Sequence, residues 1–211
     1  MTTRSSTDPT TDLTERHFTV RFSKHDSADR AELEHFISDL FRKAYGSEIK
    51  RFKPYLMSLR DHDDKLIAAC GLQSAAGERL FAENFLDQSI ETVLSEHTGS
   101  PVKRSEIVEI GNFSVDESVM ACHLITAIND QLHFTSKQWA VVTAVPALRD
   151  ACIGRGMNPE TIATADIDRL PLADRMEWGS YFEHNPQIMA IRRMERRKKP
   201  RIAETPGPSA R

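Results

Sequence analysis

The chain has 211 residues, 39% of them hydrophobic and 28% charged. That is enough apolar material for one substantial core and too much charge for a membrane-embedded protein. No apolar run approaches the roughly 20 residues that a bilayer-spanning helix needs, so no transmembrane segment is expected. The net charge of −3 hides an asymmetry. From Arg192 onward there are eight Arg or Lys against two Glu, so the rest of the chain is acidic, which argues against a nucleic-acid-binding domain.

The first residues, rich in Thr, Ser and Asp, lack the apolar stretch of a secretory signal. Cys70, Cys122 and Cys152 are few, odd in number and set among apolar neighbours, as in a reduced cytoplasmic protein. Phe18, Val20 and Phe22 alternate, predicting a first strand over His17 to Phe22. Asp29 and Glu32 have capping-box spacing. Leu33, Phe36, Ile37, Leu40, Phe41 and Ala44 then recur at helical period, and Gly46 closes the helix. Tyr55 to Arg60 and Lys65 to Gly71 read as two strands joined by the turn Asp61-His62-Asp63-Asp64. A helix is expected over Glu83 to His97.

Ile107 to Val115 reads as a buried central strand that carries one carboxylate, Glu109, and a Gly111-Asn112 step. Burying a carboxylate is costly, which makes this strand the main functional candidate. Met120 to Phe134 reads as an amphipathic helix and Trp139 to Val145 as an apolar strand. Pro146 to Arg155 reads as a helix with proline in its first turn, and Tyr181 to Arg192 as a last strand. The order predicts an α/β (α+β) fold, a mixed central sheet flanked by helices. Residues 16–192 form one expected domain, between disordered ends at 1–15 and 193–211.

Several segments resemble the thermostable hemolysin family. They are Pro54-Tyr55-Leu56, Leu80 to Asp87 with Ile90-Glu91, Arg104 with Ile107 to Asn112, Thr143-Ala144 with Leu148-Arg149, Ala165-Asp166 with Arg169-Leu170, and Trp178 to Phe182 with Pro186. The matching pieces run from about residue 18 to 192. That family resembles acyl-homoserine-lactone synthases and the N-acetyltransferase (GNAT) superfamily, so the resemblance implies a GNAT-like acyltransferase fold. Glu109, Phe113 and Val115 match the Glu-x-Ser-Arg-Phe-x-Val pattern of the lactone synthases, with Gly111 and Asn112 in place of Ser-Arg. Without that arginine, lactone synthesis is not carried over, only acyl transfer to an amine.

The implied activity moves an acyl group, fatty in the favoured reading, from an acyl carrier protein or acyl-CoA thioester to a small amine, with no tightly bound cofactor and no metal. Glu109 would act as base or orient the amine, or else pair with Arg104 or Arg149. Asn112 would donate to the thioester carbonyl, or else form a bulge. Glu83, Glu91, Arg104, Phe113, Arg149, Trp178 and Tyr181 are candidate substrate-binding residues, with a solvated face or local ion pairs as the bland alternative. Cys152 falls where many acetyltransferases carry an acidic tyrosine, but a small core residue is the commoner role.

Asp116-Glu117 stand where acetyltransferases carry a phosphate loop, and would repel a pyrophosphate. That favours a carrier protein, for which Arg42, Lys43, Lys50, Arg51 and Lys53 offer a basic landing patch. A homodimer is left open. The alternatives are a membrane-active, haemolytic protein and a non-catalytic domain that binds acyl groups or a partner.

Overall fold

The computed structural model describes residues 18–194. The expected disordered ends lie outside that range, except that Arg193 and Met194 are described and anchored: their backbone N–H groups donate to the Gln138 carbonyl and to Asn129 Oδ1.

A seven-stranded sheet runs through the molecule: β1 (Thr19–Ser23), β2 (Tyr55–Arg60), β3 (Leu66–Ser74), β4 (Ile107–Val115), β5 (Trp139–Ala144), β6 (Pro159–Thr164) and β7 (Gln187–Arg192). Their spatial order is β1-β2-β3-β4-β5-β7-β6. All neighbours are antiparallel except β4 and β5, which pair in parallel from Ile107–Trp139 to Ile110–Val142 and then part. A parallel pair needs a crossover, here α3 (Met120–Leu132).

Period-two alternation divides the core between two faces. Val108 and Ile110 of β4 pack with Met120, Leu124 and Ile128 of α3. On the opposite face Ile107 packs with Leu80, Phe85 and Leu94, while Leu33, Ile37 and Phe41 of α1 (Arg30–Tyr45) meet Leu56 and Ala69. Glu109 and Gly111 alternate with Ile110, so they belong to this second face.

Several expectations need correction. Asp29 makes no side-chain cap. It accepts a hydrogen bond from Ser23 Oγ at 2.7 Å, and Glu32 pairs with Arg60 instead. The helix expected over Glu83 to His97 is two pieces, a 3-10 turn (Phe81–Phe85) and α2 (Ile90–Thr98). The chain breaks because the Glu83 carboxylate accepts from the backbone N–H of both Leu80 and Ile90, at 2.7 and 3.0 Å. It thus caps the start of α2 from the turn before it.

The last strand begins at Gln187. Tyr181–His184 is a 3-10 turn closed by Asn185 at φ 52°, and Pro186 has no N–H to give to a ladder. Edge strand β6 was not expected. Its sequence, PETIAT, lacks clean alternation, and only pairing with β7 makes it a strand.

The connection between β6 and β7 folds back over α1. Ser180 donates through both its N–H and its hydroxyl to the Tyr45 carbonyl, and Ser47 Oγ donates to the Trp178 carbonyl at 2.7 Å. Gly179, at φ 51°, makes this close approach feasible: a Cβ there would lie 2.1 Å from the Tyr45 oxygen. Gly179→Ala is expected to destabilise the chain by about 2–3 kcal/mol. Thermal unfolding should show this as a drop in Tm of about 4–12 °C; an unchanged Tm would mean that this connection is not anchored to α1.

Candidate active site

The segment between α1 and β2 lies over β3 and β4, with Lys53 against Gly71 and Gly111. Arg30, buried at the start of α1, fixes its end by donating to the Lys53 and Pro54 carbonyls at 2.8 and 3.4 Å and to Glu34 at 2.6 Å. From the sheet side Asn112 holds the same segment. Its Oδ1 accepts the Lys53 N–H at 3.1 Å, and its Nδ2 donates to the Arg51 carbonyl at 3.4 Å.

Asn112 has φ 50° and lies where β4 carries an extra residue against β3, between the pairs Gly71–Gly111 and Ala69–Ser114. Asparagine tolerates this left-handed conformation better than most residues. The bulge reading of Asn112 is therefore met, and its amide is engaged with the 51–53 backbone.

Glu109 is 1% exposed. Its carboxylate accepts the Phe81 and Ala82 N–H groups at 3.0 and 2.7 Å and forms an ion pair with Lys53 Nζ. Lys53 Nζ also donates to Gln73 Oε1 at 3.1 Å. The lysine stem reaches this position by lying across two facing glycines. A Cβ on Gly71 would sit 2.6 Å from Lys53 Cγ, and one on Gly111 would sit 2.8 Å from Lys53 Cε. The expected partner for Glu109 was Arg104 or Arg149. The partner is Lys53, a member of the expected basic landing patch. Its role was not legible because its approach to Glu109 depends on two glycines in other strands.

Arg104 serves Glu83 instead. Its guanidinium binds both Glu83 oxygens at 2.7 and 2.8 Å and Glu91 at 2.6 Å. Burial pushes the Glu83 carboxyl up, but Arg104 and the Ile90 and Leu80 N–H groups outweigh it and hold its pKa at about 2. Glu83, Glu91 and Arg104 thus satisfy one another behind the site and do not line the cleft. The eight-residue spacing that suggested one helical face is met by a shared arginine across two elements. This cluster fixes the 3-10 turn whose Phe81 and Ala82 N–H groups meet Glu109.

The cleft above Lys53 has a volume of about 1300 Å³. Phe41 and Tyr45 of α1, the diverging ends of β4 and β5, Ser118 before α3, and Trp178 and Tyr181 line it. Trp178 stacks on Phe81 with ring centroids 5.0 Å apart. Tyr181 is buried and donates to the Thr143 carbonyl at 2.9 Å; burial pushes its phenol well up, so it stays protonated. Phe113 lines the cleft and also a second, apolar pocket of about 50 Å³.

Cys152 belongs to that second pocket, with Ile125 and Met157. Burial, with Cys122 nearby, pushes its thiol up to about 11. A neutral thiol in an apolar cluster is a packing residue rather than a nucleophile. Arg149 is exposed on α4 (Pro146–Gly154) and does not line the cleft. Of the basic patch, Arg42, Lys43, Lys50 and Arg51 are exposed. Arg51 meets Asp174 at 2.5 Å, and Arg42 meets Asp39 at 2.8 Å. Lys53, only 12% exposed in its side chain, is not part of that surface.

Together the splayed parallel pair, the cleft at its mouth and the mixed sheet define an acyltransferase-type fold of the N-acetyltransferase kind. The acyl-homoserine-lactone synthase LasI superposes with a TM-score of 0.53 at 11% identity, covering 84% of this chain and 90% of that one. FeeM, an N-acyl amino acid synthase from uncultured soil microbes, gives 0.54 at 11%, covering 84% and 89%. BjaI, a CoA-dependent acyl-homoserine lactone synthase solved with SAM and isopentyl-CoA, gives 0.54 at 10%, covering 84% of each chain. The sequence profile of the thermostable hemolysin family matches residues 23–196, and the chain belongs to that family. No curated protein matches the sequence.

Proposed function

We propose that this protein transfers an acyl group from a pantetheine thioester, carried by an acyl carrier protein or CoA, to a small amine. The observation that supports this best is that two spaces adjoin at the point where β4 and β5 part. Ile110, Phe113, Val142 and Leu148 line both the open cleft and the apolar pocket behind it. A thioester at that boundary would have its polar arm in the cleft and the start of its acyl chain among apolar side chains. The low-identity neighbours named as acyl-homoserine-lactone and N-acyl amino acid synthases are consistent with that chemistry.

Glu109 and Asn112 set the reacting end through the elements they hold, Glu109 by seating Lys53 and Asn112 by fixing the 51–53 backbone. Phe113, Trp178 and Tyr181 form walls for the substrates. The exposed Arg42, Lys43 and Lys50 would face an acidic carrier protein, and Asp116-Glu117 before α3 disfavour a pyrophosphate there. This points to the carrier protein over CoA and to the cytoplasm as the setting.

The test is thiol release, followed with mass spectrometry, from carrier-protein and CoA thioesters of several chain lengths with a panel of amines. Thiol release that depends on both donor and amine, with an amide of matching mass, is the expected result. Folded protein that releases no thiol across the panel would count against acyl transfer. Dye leakage from liposomes without any donor would favour the membrane-active alternative.

A further inference from the structure

The group that the cleft floor presents to a substrate is an amine. The Glu109 side chain is 2% exposed and that of Lys53 is 12% exposed. The carboxylate is enclosed by Lys53 Nζ and the Phe81 and Ala82 N–H groups. An incoming amine therefore meets Lys53 before it meets Glu109. An ammonium has three N–H donors. The described residues take two of them, through Glu109 and Gln73 Oε1. The third is available to a molecule in the cleft.

The site is built around this lysine. Its stem lies over Gly71 and Gly111, where any side chain would collide with it. Its backbone is held by Arg30 on one side and Asn112 on the other.

We propose that Lys53 is a catalytic residue whose ammonium stabilises the oxyanion formed when the amine attacks the thioester, with Glu109 and Gln73 as its positioning residues. The inference rests on the acyl-transfer reading. In the step, the acceptor nitrogen forms a bond to the carbonyl carbon and the carbonyl electron pair moves onto oxygen, to which a Lys53 N–H donates a hydrogen bond. The pair then returns, the C–S bond breaks, and the sulfur leaves as thiolate. Water takes the proton lost by nitrogen and supplies one to the thiolate, so Lys53 keeps its own proton throughout. A cationic donor held in place by Glu109 and Gln73 is effective in this role because it needs no reorganisation as charge develops.

The experiment compares wild type, Lys53→Met, Glu109→Gln and the Lys53→Met/Glu109→Gln double variant by thiol release, with thermal unfolding on each. Silence of the folded wild type would defeat the acyl-transfer reading, and this proposal with it. With an active wild type, Lys53→Met is expected to lower kcat by about 100- to 1000-fold with little change in the donor KM. Glu109→Gln, which keeps an acceptor for the lysine but not its counter-charge, should lower kcat by about tenfold, well short of the loss in Lys53→Met. The double variant leaves no buried charge unpaired. It should recover thermal stability and remain as inactive as Lys53→Met, which keeps the test decisive even where Lys53→Met alone folds poorly.

Turnover by the double variant within tenfold of wild type would overturn the proposal, since a purely structural ion pair can be removed whole. So would Glu109→Gln losing as much turnover as Lys53→Met, because the carboxylate would then be the reacting group. An acyl adduct on Lys53 in place of a released amide would overturn it as well.

Discussion

Replacing Arg104 by Met is expected to lower the stability of the folded chain by about 3–5 kcal/mol, the usual effect of leaving a buried charge without its partner. Glu83 is 6% exposed in its side chain and depends on Arg104 for two of its four hydrogen bonds. Removing the guanidinium leaves a carboxylate inside an apolar cluster that contains Leu80, Phe85 and Ile90. Urea unfolding measures the loss, and the double variant Arg104→Met/Glu83→Gln should regain much of it. If the double variant is no more stable than Arg104→Met, the ion pair is not the source of the effect.

The same cluster gives the wild type a distinct acid response. The Glu83 pKa is lowered in the fold, from 4.5 to about 2. The unfolded chain therefore binds a proton at higher pH than the folded chain does. The stabilisation is fully present above about pH 4.5 and is lost as pH falls toward 2, and it amounts to about 3 kcal/mol. Denaturation titrations over that window should show a steeper loss in wild type than in Arg104→Met/Glu83→Gln, which has no carboxyl at this position. Parallel curves would show that other carboxylates dominate acid unfolding.

The second large effect is expected at the glycines beneath Lys53. At Gly71 a Cβ would meet Lys53 Cγ at 2.6 Å, Lys53 Cβ at 2.7 Å and Asn112 Oδ1 at 2.7 Å. These atoms lie close to a backbone that Arg30 holds from the far side, so they cannot swing away without lifting the 51–53 segment. Gly71→Ala should cost about 1–3 kcal/mol of stability, as overpacking does. It should also lower turnover by about 100-fold by displacing the lysine. Gly111→Ala meets only Lys53 Cε within 3.0 Å, the end of a flexible chain. It should escape the overpacking cost, lose stability only as far as it weakens the Lys53–Glu109 pair, and reduce turnover by moving the ammonium. Melting curves run beside thiol-release assays separate the two effects. Full turnover in a folded Gly111→Ala protein would mean that the seat of the ammonium is unimportant.

Much of this protein is set by local sequence. A largely apolar run bounded by polar residues marks β4 from Ile107 to Val115 as a buried strand, and helical spacing defines α1 and α3, because burial dictates those patterns residue by residue. The buried carboxylate of Glu109 and the Gly111-Asn112 bulge were legible for the same reason: each is an exception within an otherwise apolar strand.

The partners of those residues were decided by the tertiary fold. Lys53 reads as one more cation in a basic loop until the segment is laid across Gly71 and Gly111. Glu83, Glu91 and Arg104 read as substrate ligands until the break before Ile90 brings them together. The edge strand β6 and the fold-back at Gly179 likewise depend on β7 and on Tyr45, which are distant in sequence. A charge carries no local record of its counter-ion, since long-range pairing is fixed by which elements the core brings side by side. The hydrophobic pattern therefore determined the frame of the site, and only the packed sheet determined which charged groups face the cleft.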